Sequence, residues 1–358
     1  MIKMNQNRVH IIVPIYNPPT EFFRVCLRSI ARQVHTNFMC IMVDDGSMPE
    51  TATLCDEIVA QDTRFSIIHK KNEGTAFARR DGVLAALADG AEYISFIDSD
   101  DTVEPEYLSM MLGSLLETNA DVCFCGVNEV KDGKTTIPTW SPSESGTSED
   151  RSGMAASVLG YPHKKFGIRF AVWAGIFRMS LFNGVDWDFN NKKIGEDKRL
   201  SIQLMLNVRK ASYLRNCLYN YVLHPVGVSK ATPCAQRLRL SVECQYAVAD
   251  LVKSRFPECN FTQDMAFDEL RFSLGLLCNL LDSGTDEPSF QDDADEYMRH
   301  ILHAAGIPGV LRRFRLRVRL IVWILKTVGF PTYRILRKAI KAVKLKPLHK
   351  PANHKEAE

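Results

Sequence analysis

The feature that most constrains the fold is a repeated alternation of strand and helix patterns over residues 8–127. Short runs rich in β-branched and apolar residues alternate with stretches whose apolar side chains recur at helical spacing. Four such repeats with short links predict an α/β fold, with a mostly parallel sheet and helices on both faces. The predicted strands cover residues 8–16, 39–43, 65–69, 93–97 and 121–127.

Polar side chains follow several of these strands at the point where each one ends. In open parallel sheets, ligands bind beyond the carboxyl ends of the strands. We therefore expect one cleft lined by the side chains that lie there, namely Tyr16, Asp44, Asp45, Lys70, Asn72, Asp98 and Asp100.

The most distinctive stretch is Ile-Ser-Phe-Ile-Asp-Ser-Asp-Asp at residues 94–101, where an apolar strand ends in three carboxylates. Because alternate side chains of a strand face the same way, Asp98 and Asp100 can converge on one ion. Hard cations such as Mg2+ and Mn2+ prefer oxygen ligands of this kind. The alternative is an acidic turn that caps a helix starting near Pro105.

Composition and charge divide the 358 residues into three predicted parts. Apolar residues make up 46% and charged residues 24% of the chain, as in ordinary folded proteins. We place the strand–helix domain at residues 1–230, a helical region at 231–308 and a basic amphipathic tail at 309–358. The tail carries 14 Lys and Arg and two acids, a net charge of +12, whereas the preceding residues sum to −9.

The tail is typical of a segment that lies on a membrane surface. Basic and apolar residues alternate at 312–319, which suits a strand as well as a helix, and Trp323 follows in an apolar run. Such segments bind anionic lipid surfaces. A solvated tail is the alternative. A nucleic-acid partner is not expected, because the body is acidic and no recognition motif accompanies the tail.

Cysteine usage and the N-terminus indicate a cytoplasmic protein. The ten cysteines form no C-x-x-C pair, which favours reduced thiols over a disulfide framework or a zinc site. The first residues lack the apolar core of a secretory signal. No uncharged stretch reaches the roughly 18 apolar residues of a spanning helix.

Six short motifs stand in order along residues 8–230: Val13-Pro14-Ile15-Tyr16-Asn17, Asp44-Asp45-Gly46-Ser47, Asn72-Glu73-Gly74, Ala78-Arg79, Phe96-Ile97-Asp98-Ser99-Asp100-Asp101 and Glu196-Asp197. Together they resemble the motifs of the family 2 glycosyltransferases. The resemblance implies the Rossmann-like GT-A fold. It also implies transfer of a sugar from a nucleotide-diphosphate donor, by family habit UDP-linked, with inversion at the anomeric carbon.

Sugar transfer makes two chemical demands that the resemblance assigns to particular acids. The departing diphosphate gathers negative charge, which a metal ion offsets, and Asp100 with Asp98 would hold Mn2+ or Mg2+ against the phosphates. The attacking hydroxyl must lose a proton to a base within hydrogen-bond reach. Asp197 would be that base, and two acids at a helix N-terminus are the alternative.

The resemblance also implies contacts to the nucleotide. Asp45 would accept a hydrogen bond from the base, with a turn acid as the alternative. Backbone groups from Pro14 to Tyr16 would flank the same base, and Tyr16 would stack on it or belong to the core. Asn72 and Gly74 would lie near the nucleotide, and Asp98 near the ribose.

Other positions keep two interpretations or depart from the family pattern. Arg79 would lie near the diphosphate or form a structural pair with an acid. Trp173 would pack under the acceptor sugar or in the core, and His224 would approach the diphosphate or lie in an ordinary loop. Arg80 stands where the family often has Asn, and Gly175 where it often has Lys. Arg80 puts the sugar contact at that site in doubt.

The resemblance and the tail together predict an enzyme at the inner face of the cell membrane. Its acceptor would be a glycan or lipid-linked glycan used in the synthesis of a cell-surface polysaccharide. The alternative is a non-catalytic GT-A-like protein that binds a nucleotide sugar or a partner. A dinucleotide oxidoreductase fits worse, because Asn17-Pro18-Pro19 replaces the glycine-rich turn after the first strand.

Overall fold

The structure is a computed structural model, and it describes residues 7–131, 134–135, 141–142, 144–159, 172–190, 195–223, 235–283, 289–314 and 316–328. The described strands, in chain order, are β1 Val9–Ile15, β2 Phe38–Asp44, β3 Phe65–His69, β4 Tyr93–Phe96, β5 Thr102–Val103, β6 Val122–Lys131, β7 Lys134–Thr135, β8 Gly146–Ser148, β9 Gly175–Arg178 and β10 Ala211–Leu223.

The described α-helices are α1 Thr20–Ala31, α2 Pro49–Gln61, α3 Thr75–Ala88, α4 Tyr107–Thr118, α5 Arg151–Val158, α6 Trp187–Asn190, α7 Glu196–Asn207, α8 Ala235–Arg255, α9 Thr262–Ser283, α10 Ser289–Gly306 and α11 Leu316–Val328. Short 3-10 turns cover Met179–Phe182 and Val310–Arg313.

The described strands form one sheet in the order β3-β2-β1-β4-β9-β6-β10-β5, with β7 beside β6 and β8 beside β10. β1 pairs in parallel with β2 and β4, β2 with β3, and β6 with β10. The predicted mostly parallel sheet is therefore confirmed. The sequence pattern did not predict that β9 lies antiparallel between β4 and β6.

Pro14 lies inside β1. It lies in regular register opposite Val43, and the strand ends one residue later, at Ile15. Ile12 and Pro14 direct their backbone polar groups to the same side, where the Ile12 carbonyl accepts the amide of Ile97. β4 has ended beside Pro14, so the missing N–H of Pro14 costs no ladder hydrogen bond there.

The chain divides into two compact units, residues 1–229 with 247–259, and residues 230–246 with 260–358. The core of the first unit lies between the sheet and the helices α1, α2 and α4, and it includes fully buried Ile11, Phe23, Tyr107, Met111 and Tyr219. This core holds the strands in place, so that the loops at their carboxyl ends project from a fixed frame.

The second unit is helical, and the start of the predicted tail belongs to it. Its core joins residues of α8 to α11, including Leu270, Ile301, Val322 and Leu325. The tail's apolar run lies in α11 and is therefore helical. Val322 and Leu325 on this helix are buried, whereas Trp323 is 61% exposed. Residues 329–358 lie outside the described residues. None of the helices in the described ranges has the length and apolar character needed to cross a bilayer.

Candidate active site

The carboxyl ends of β1, β2 and β3 lie side by side. Ile15, Asp44 and His69 are neighbours across these three strands. On the other side of β1, β4 ends at Phe96, two residues before Asp98. The edge predicted from the sequence therefore collects the loops that follow the first four strands.

A buried arginine joins two acids that are far apart in the sequence. Arg79 on α3 is only 2% exposed. Its Nη2 donates to Oδ1 of Asp98 at 2.9 Å, and its Nη1 donates to Oδ1 of Asp197 in the first turn of α7. Of the two interpretations of Arg79, the pair with an acid is the one that the structure shows, and the pair involves two acids. A predicted metal ligand and the predicted base thus share one guanidinium group.

Negative charge around Arg79 exceeds what a single guanidinium group offsets. Burial raises the pKa of Asp98 to about 6, with Arg79 opposing the rise and the charges of Asp197 and Asp100 adding to it. Burial, and then the charge of Asp197, raises the pKa of Glu196 to about 7. A cation relieves such repulsion, and Asp98 and Asp100 offer the carboxylate oxygens that a hard divalent metal ion prefers.

The three acids after β4 have different surroundings. Asp101 is buried and accepts hydrogen bonds from the Tyr219 hydroxyl at 2.7 Å and the Val222 amide at 2.8 Å, so it ties the acidic turn to β10. Asp98 and Asp100 are partly exposed. Within the described residues, no group of three or more His, Cys, Asp or Glu side chains could hold a metal ion. Mg2+ usually takes one or two carboxylates plus substrate phosphates, a set that Asp98 and Asp100 can supply.

Asp45 fixes the loop that carries Asn72 and Gly74. Its two oxygens accept the backbone amides of Glu73 at 2.9 Å and Gly74 at 2.8 Å. The carboxylate is buried, and Gly74 has a φ of +100°. Of the two interpretations, the turn acid is visible in these contacts, and the hydrogen bond to a nucleotide base stays a prediction.

The turn after β2 approaches the same loop closely. Gly46 has a φ of +76°, and a Cβ atom there would lie 2.8 Å from the amide nitrogen of Asn72. Lys70, at the start of the loop, places its Nζ 2.6 Å from both Glu73 and Asp81. Asn72 is exposed at the surface, and its backbone lies beside the turn that follows Asp45.

Tyr16 projects from the end of β1 and is 59% exposed, which excludes the core interpretation. It directly follows buried Ile15, and the Ile15 carbonyl accepts the amide of Asp45 at 2.9 Å. Tyr16 and Asp45 therefore follow adjacent strand ends, and Pro14 is buried within β1 two residues before Tyr16.

Trp173 belongs to an aromatic group beside the acidic turn. Its ring stacks on Tyr219 and Tyr221, with centroids 5.1 Å and 5.6 Å away, and it is partly buried against the core. The Tyr219 hydroxyl accepts the amide of Asp98 at 3.2 Å. The structure thus shows the packing role of Trp173, and a contact with an acceptor sugar stays a prediction.

The two departures from the family pattern have structural explanations. The Nε of Arg80 donates a hydrogen bond to Oδ1 of Asp81 at 2.8 Å, and its guanidinium group stacks over the ring of Phe77. Its charge is therefore already paired. At Gly175, a Cβ atom would lie 2.9 Å from the ring of Phe177, so a lysine would require the surrounding aromatic side chains to move. His224 lies outside the described residues.

Residues 10–177 match the family model described as Glycosyl transferase family 2. The match covers just under half of the chain, and over these residues the chain is similar to the family 2 glycosyltransferases. Among solved structures, the chain is similar to S. aureus TarS residues 1–349 in complex with UDP, with a TM-score of 0.61. The two chains are 18% identical, and the match covers 94% of this chain and 92% of the TarS chain. This likeness shows that the fold is GT-A.

Curated proteins that are similar to this part of the chain carry glycosyltransferase names. GlyA of Streptococcus pneumoniae is 26% identical over 63% of this chain and 32% of its own length. The uncharacterized glycosyltransferase YibD of Escherichia coli is 26% identical over 63% of this chain and 64% of its own length. The matches therefore span less than two thirds of either relative.

Sequence reasoning missed several residues that shape this candidate site. The link from Arg79 to both acids depends on how α3 and α7 meet, which no local pattern encodes. The positions of Tyr219 and Tyr221 could have been predicted, because two aromatic side chains at i and i+2 on a strand face the same side of the sheet. Glu196 was noted in its motif, but its burial, which raises its pKa, becomes visible only in the fold.

Proposed function

We propose that this protein is an inverting glycosyltransferase that moves a sugar from a UDP-linked donor to a hydroxyl group of a glycan or lipid-linked glycan. The observation that carries the proposal is the convergence on Arg79 of Asp98, from the end of β4, and Asp197, from the start of α7. The match to the family 2 model supports sugar transfer, and S. aureus TarS, which shares the fold, has been solved with UDP and with UDP-GlcNAc.

Asp98 and Asp100 would hold Mn2+ or Mg2+ in this protein. The raised pKa of Asp98 supports this assignment, since burial, together with the charges of Asp197 and Asp100, favours either a proton or a cation at this position. The metal ion, when bound, supplies positive charge against the negative charge that develops on the departing diphosphate. Arg79 adds a fixed positive charge nearby and orients both Asp98 and Asp197.

Asp197 would accept the proton of the attacking hydroxyl, and Glu196 is its competitor for this role. Arg79 holds one oxygen of Asp197 and fixes the direction of its carboxylate, and its side chain is 39% exposed, so an acceptor can reach it. Glu196 has a pKa of about 7, in the range that favours proton transfer near neutral pH. The two acids are adjacent at the start of α7, so substitution separates their roles.

The nucleotide part of the donor would bind at the loops after β1, β2 and β3. Asp45 and Tyr16 would contact the nucleotide base, with Pro14 beside them. Asn72 and Gly74 would flank the nucleotide from the loop that Asp45 holds. These assignments are supported by the adjacency of the three strand ends.

The test of this function is release of nucleoside diphosphate from a panel of nucleotide sugars, with Mn2+ and glycan acceptors present. Asp197→Asn should abolish transfer and leave UDP binding near that of the native protein. Glu196→Gln serves as the matched control, and it should keep measurable transfer. If both variants transfer sugar at native rates, neither acid is the base. If the native protein binds a nucleotide sugar but never releases a diphosphate, the non-catalytic alternative is correct.

We further propose that the enzyme is cytoplasmic, acts peripherally at the inner face of the cell membrane and contributes to a cell-surface polysaccharide. Exposed Trp323 on α11 and the basic residues that follow support this, because each Lys or Arg near an anionic surface adds about 1 kcal/mol. Deleting the whole tail would remove buried Val322 and Leu325. Truncation after Val328 is the cleaner test, and it should reduce sedimentation with anionic vesicles; unchanged sedimentation would contradict the membrane proposal.

A further inference from the structure

His69 ends β3 at the predicted nucleotide-binding edge, and each of its ring nitrogens faces a carboxylate. Nδ1 lies 2.8 Å from Oδ2 of Asp44 on β2, and Nε2 lies 3.2 Å from Oδ1 of Asp56 on α2. A neutral imidazole has only one N–H group, whereas an imidazolium has two. Only a protonated His69 can therefore donate to both carboxylates.

Hydrogen bonds also connect Asp44 to the turn after β1. Its Oδ1 accepts the backbone amide of Ser47 at 2.9 Å, and the Ser47 hydroxyl oxygen accepts the amide of Asn17 at 3.1 Å. Asn17 has a φ of +47° and directly follows Tyr16. A continuous series of hydrogen bonds thus runs from His69 to the turn that bears Tyr16.

Asp44 also lies at the centre of the other nucleotide-binding loops. Its carbonyl accepts the amide of Lys70 at 3.0 Å, where the loop that carries Asn72 begins. The next residue, Asp45, holds the far end of that loop at Glu73 and Gly74. A change in the Asp44 carboxylate is therefore positioned to disturb both loops without touching Asp98 or Asp197.

We propose that His69 is a positioning residue for the nucleoside diphosphate part of the donor. In its imidazolium form it fixes Asp44, and through Asp44 it fixes the turns that bear Tyr16 and Asp45. Loss of its proton weakens donor binding and leaves the reacting groups unchanged. This inference rests on the proposed function of the site.

The groups that face His69 set the pH range of the effect. Hydrogen bonds to Asp44, and then to Asp56, raise the pKa of His69 above its ordinary value. Cys55 of α2 lies near the same two acids, and burial raises its pKa to about 12, so its thiol stays neutral. Hydrogen bonds from Ser47 and His69 lower the pKa of Asp44 despite its burial. Because the folded pKa of His69 is raised, the bridge is complete below the ordinary histidine pKa of about 6.5. It is lost as the pH rises through the raised value.

Calorimetric titration of the full chain with UDP and Mg2+ between pH 6 and 8.5 tests the proposal. The native Kd should rise roughly three- to tenfold across this range, as one charge-assisted hydrogen bond is lost. His69→Gln, which can donate to Asp44 but does not titrate, should remove this rise. His69→Ala should bind UDP weakly at every pH. Asp56→Asn should shift the midpoint of the rise to lower pH, an effect that a purely structural role would not produce.

Two comparisons keep the test specific. Titration of Asp98 affects native protein and His69 variants alike, so the difference between their pH profiles isolates His69. In steady-state assays, His69→Ala should raise the KM for the donor and leave kcat within about twofold, since the reacting groups are untouched. A native-like pH profile in His69→Gln would overturn the inference. Absence of UDP binding by the native protein at every pH would instead overturn the proposed function, and this inference with it.

Discussion

Replacing Arg79 with methionine should destabilise the first unit in a pH-dependent way. Methionine has a similar length but leaves Asp98 and Asp197 without their shared cation. The Asp98 side chain is 26% exposed, so the lost hydrogen bond to a charged group costs about 1.5–3 kcal/mol. The Asp197 side chain is 39% exposed, and solvent screening reduces its share to about 0–1 kcal/mol.

The expected loss for Arg79→Met is therefore about 1.5–4 kcal/mol, which corresponds to roughly 3–16 °C in Tm for a domain of this size. The loss should shrink below pH 6, because Asp98 has a pKa of about 6 and its protonated form needs no cation. Thermal unfolding followed by circular dichroism at pH 5 and pH 8 measures both effects.

Arg80→Met is the matched control, because it removes a neighbouring guanidinium group whose ion pair, within the described part of the chain, is with partly exposed Asp81, and which covers Phe77. Its cost should stay within about 1 kcal/mol at both pH values. Equal melting temperatures for the two variants at pH 8 would refute the view that Arg79 compensates buried acids. A loss for Arg79→Met that does not change with pH would refute the assignment of the titration to Asp98.

Two further outcomes follow from local geometry. Gly46→Ala should lower stability by about 1–3 kcal/mol and weaken UDP binding, since it strains a positive φ and brings a Cβ atom to 2.8 Å from the amide of Asn72; denaturant unfolding and calorimetry check this. In the second unit, buried Glu269 accepts hydrogen bonds from His300 at 2.7 Å and Tyr246 at 2.9 Å. Its pKa is lowered by His300 against the effect of burial, and the pKa of His300 is raised by Glu269. The stabilisation should therefore be lost as the pH rises through the raised His300 value, and also as it falls through the lowered Glu269 value. Hydrogen exchange of α9 and α10 should show this dependence, and Glu269→Gln should abolish it.

Local sequence patterns predicted the first half of the sheet because each strand and its helix bury their own apolar face. The strand predicted at residues 39–43 is observed at Phe38–Asp44, and the one predicted at 65–69 at Phe65–His69. The same reasoning could not place β9 between β4 and β6, because its pairing partners lie more than 50 residues earlier in the chain. Hydrophobic periodicity reports which face is buried, not which distant strand covers an edge.

The candidate site shows the same division. The positions of Asp45 and Asp98 at strand ends followed from the strand pattern, since parallel strands bring their carboxyl ends together. The hydrogen bonds from Arg79 to both Asp98 and Asp197 could not be predicted from that pattern, because they depend on how α3 and α7 approach each other in three dimensions. The bridging role of His69 was likewise hidden, since its two carboxylate partners come from different elements.

The central claim is that Asp98 and Asp100 hold a divalent cation against the diphosphate of the donor. A crystal structure of the protein grown with Mn2+ and UDP, with anomalous data collected near the manganese edge, tests this most directly. We predict a manganese peak bonded to a carboxylate oxygen of Asp98 or Asp100 and to UDP phosphate oxygens, with the uracil between Tyr16 and Asp45. UDP bound at the ends of β1 and β2 with no peak near either acid would contradict the metal assignment. UDP bound elsewhere in the molecule would contradict the account of the site as a whole.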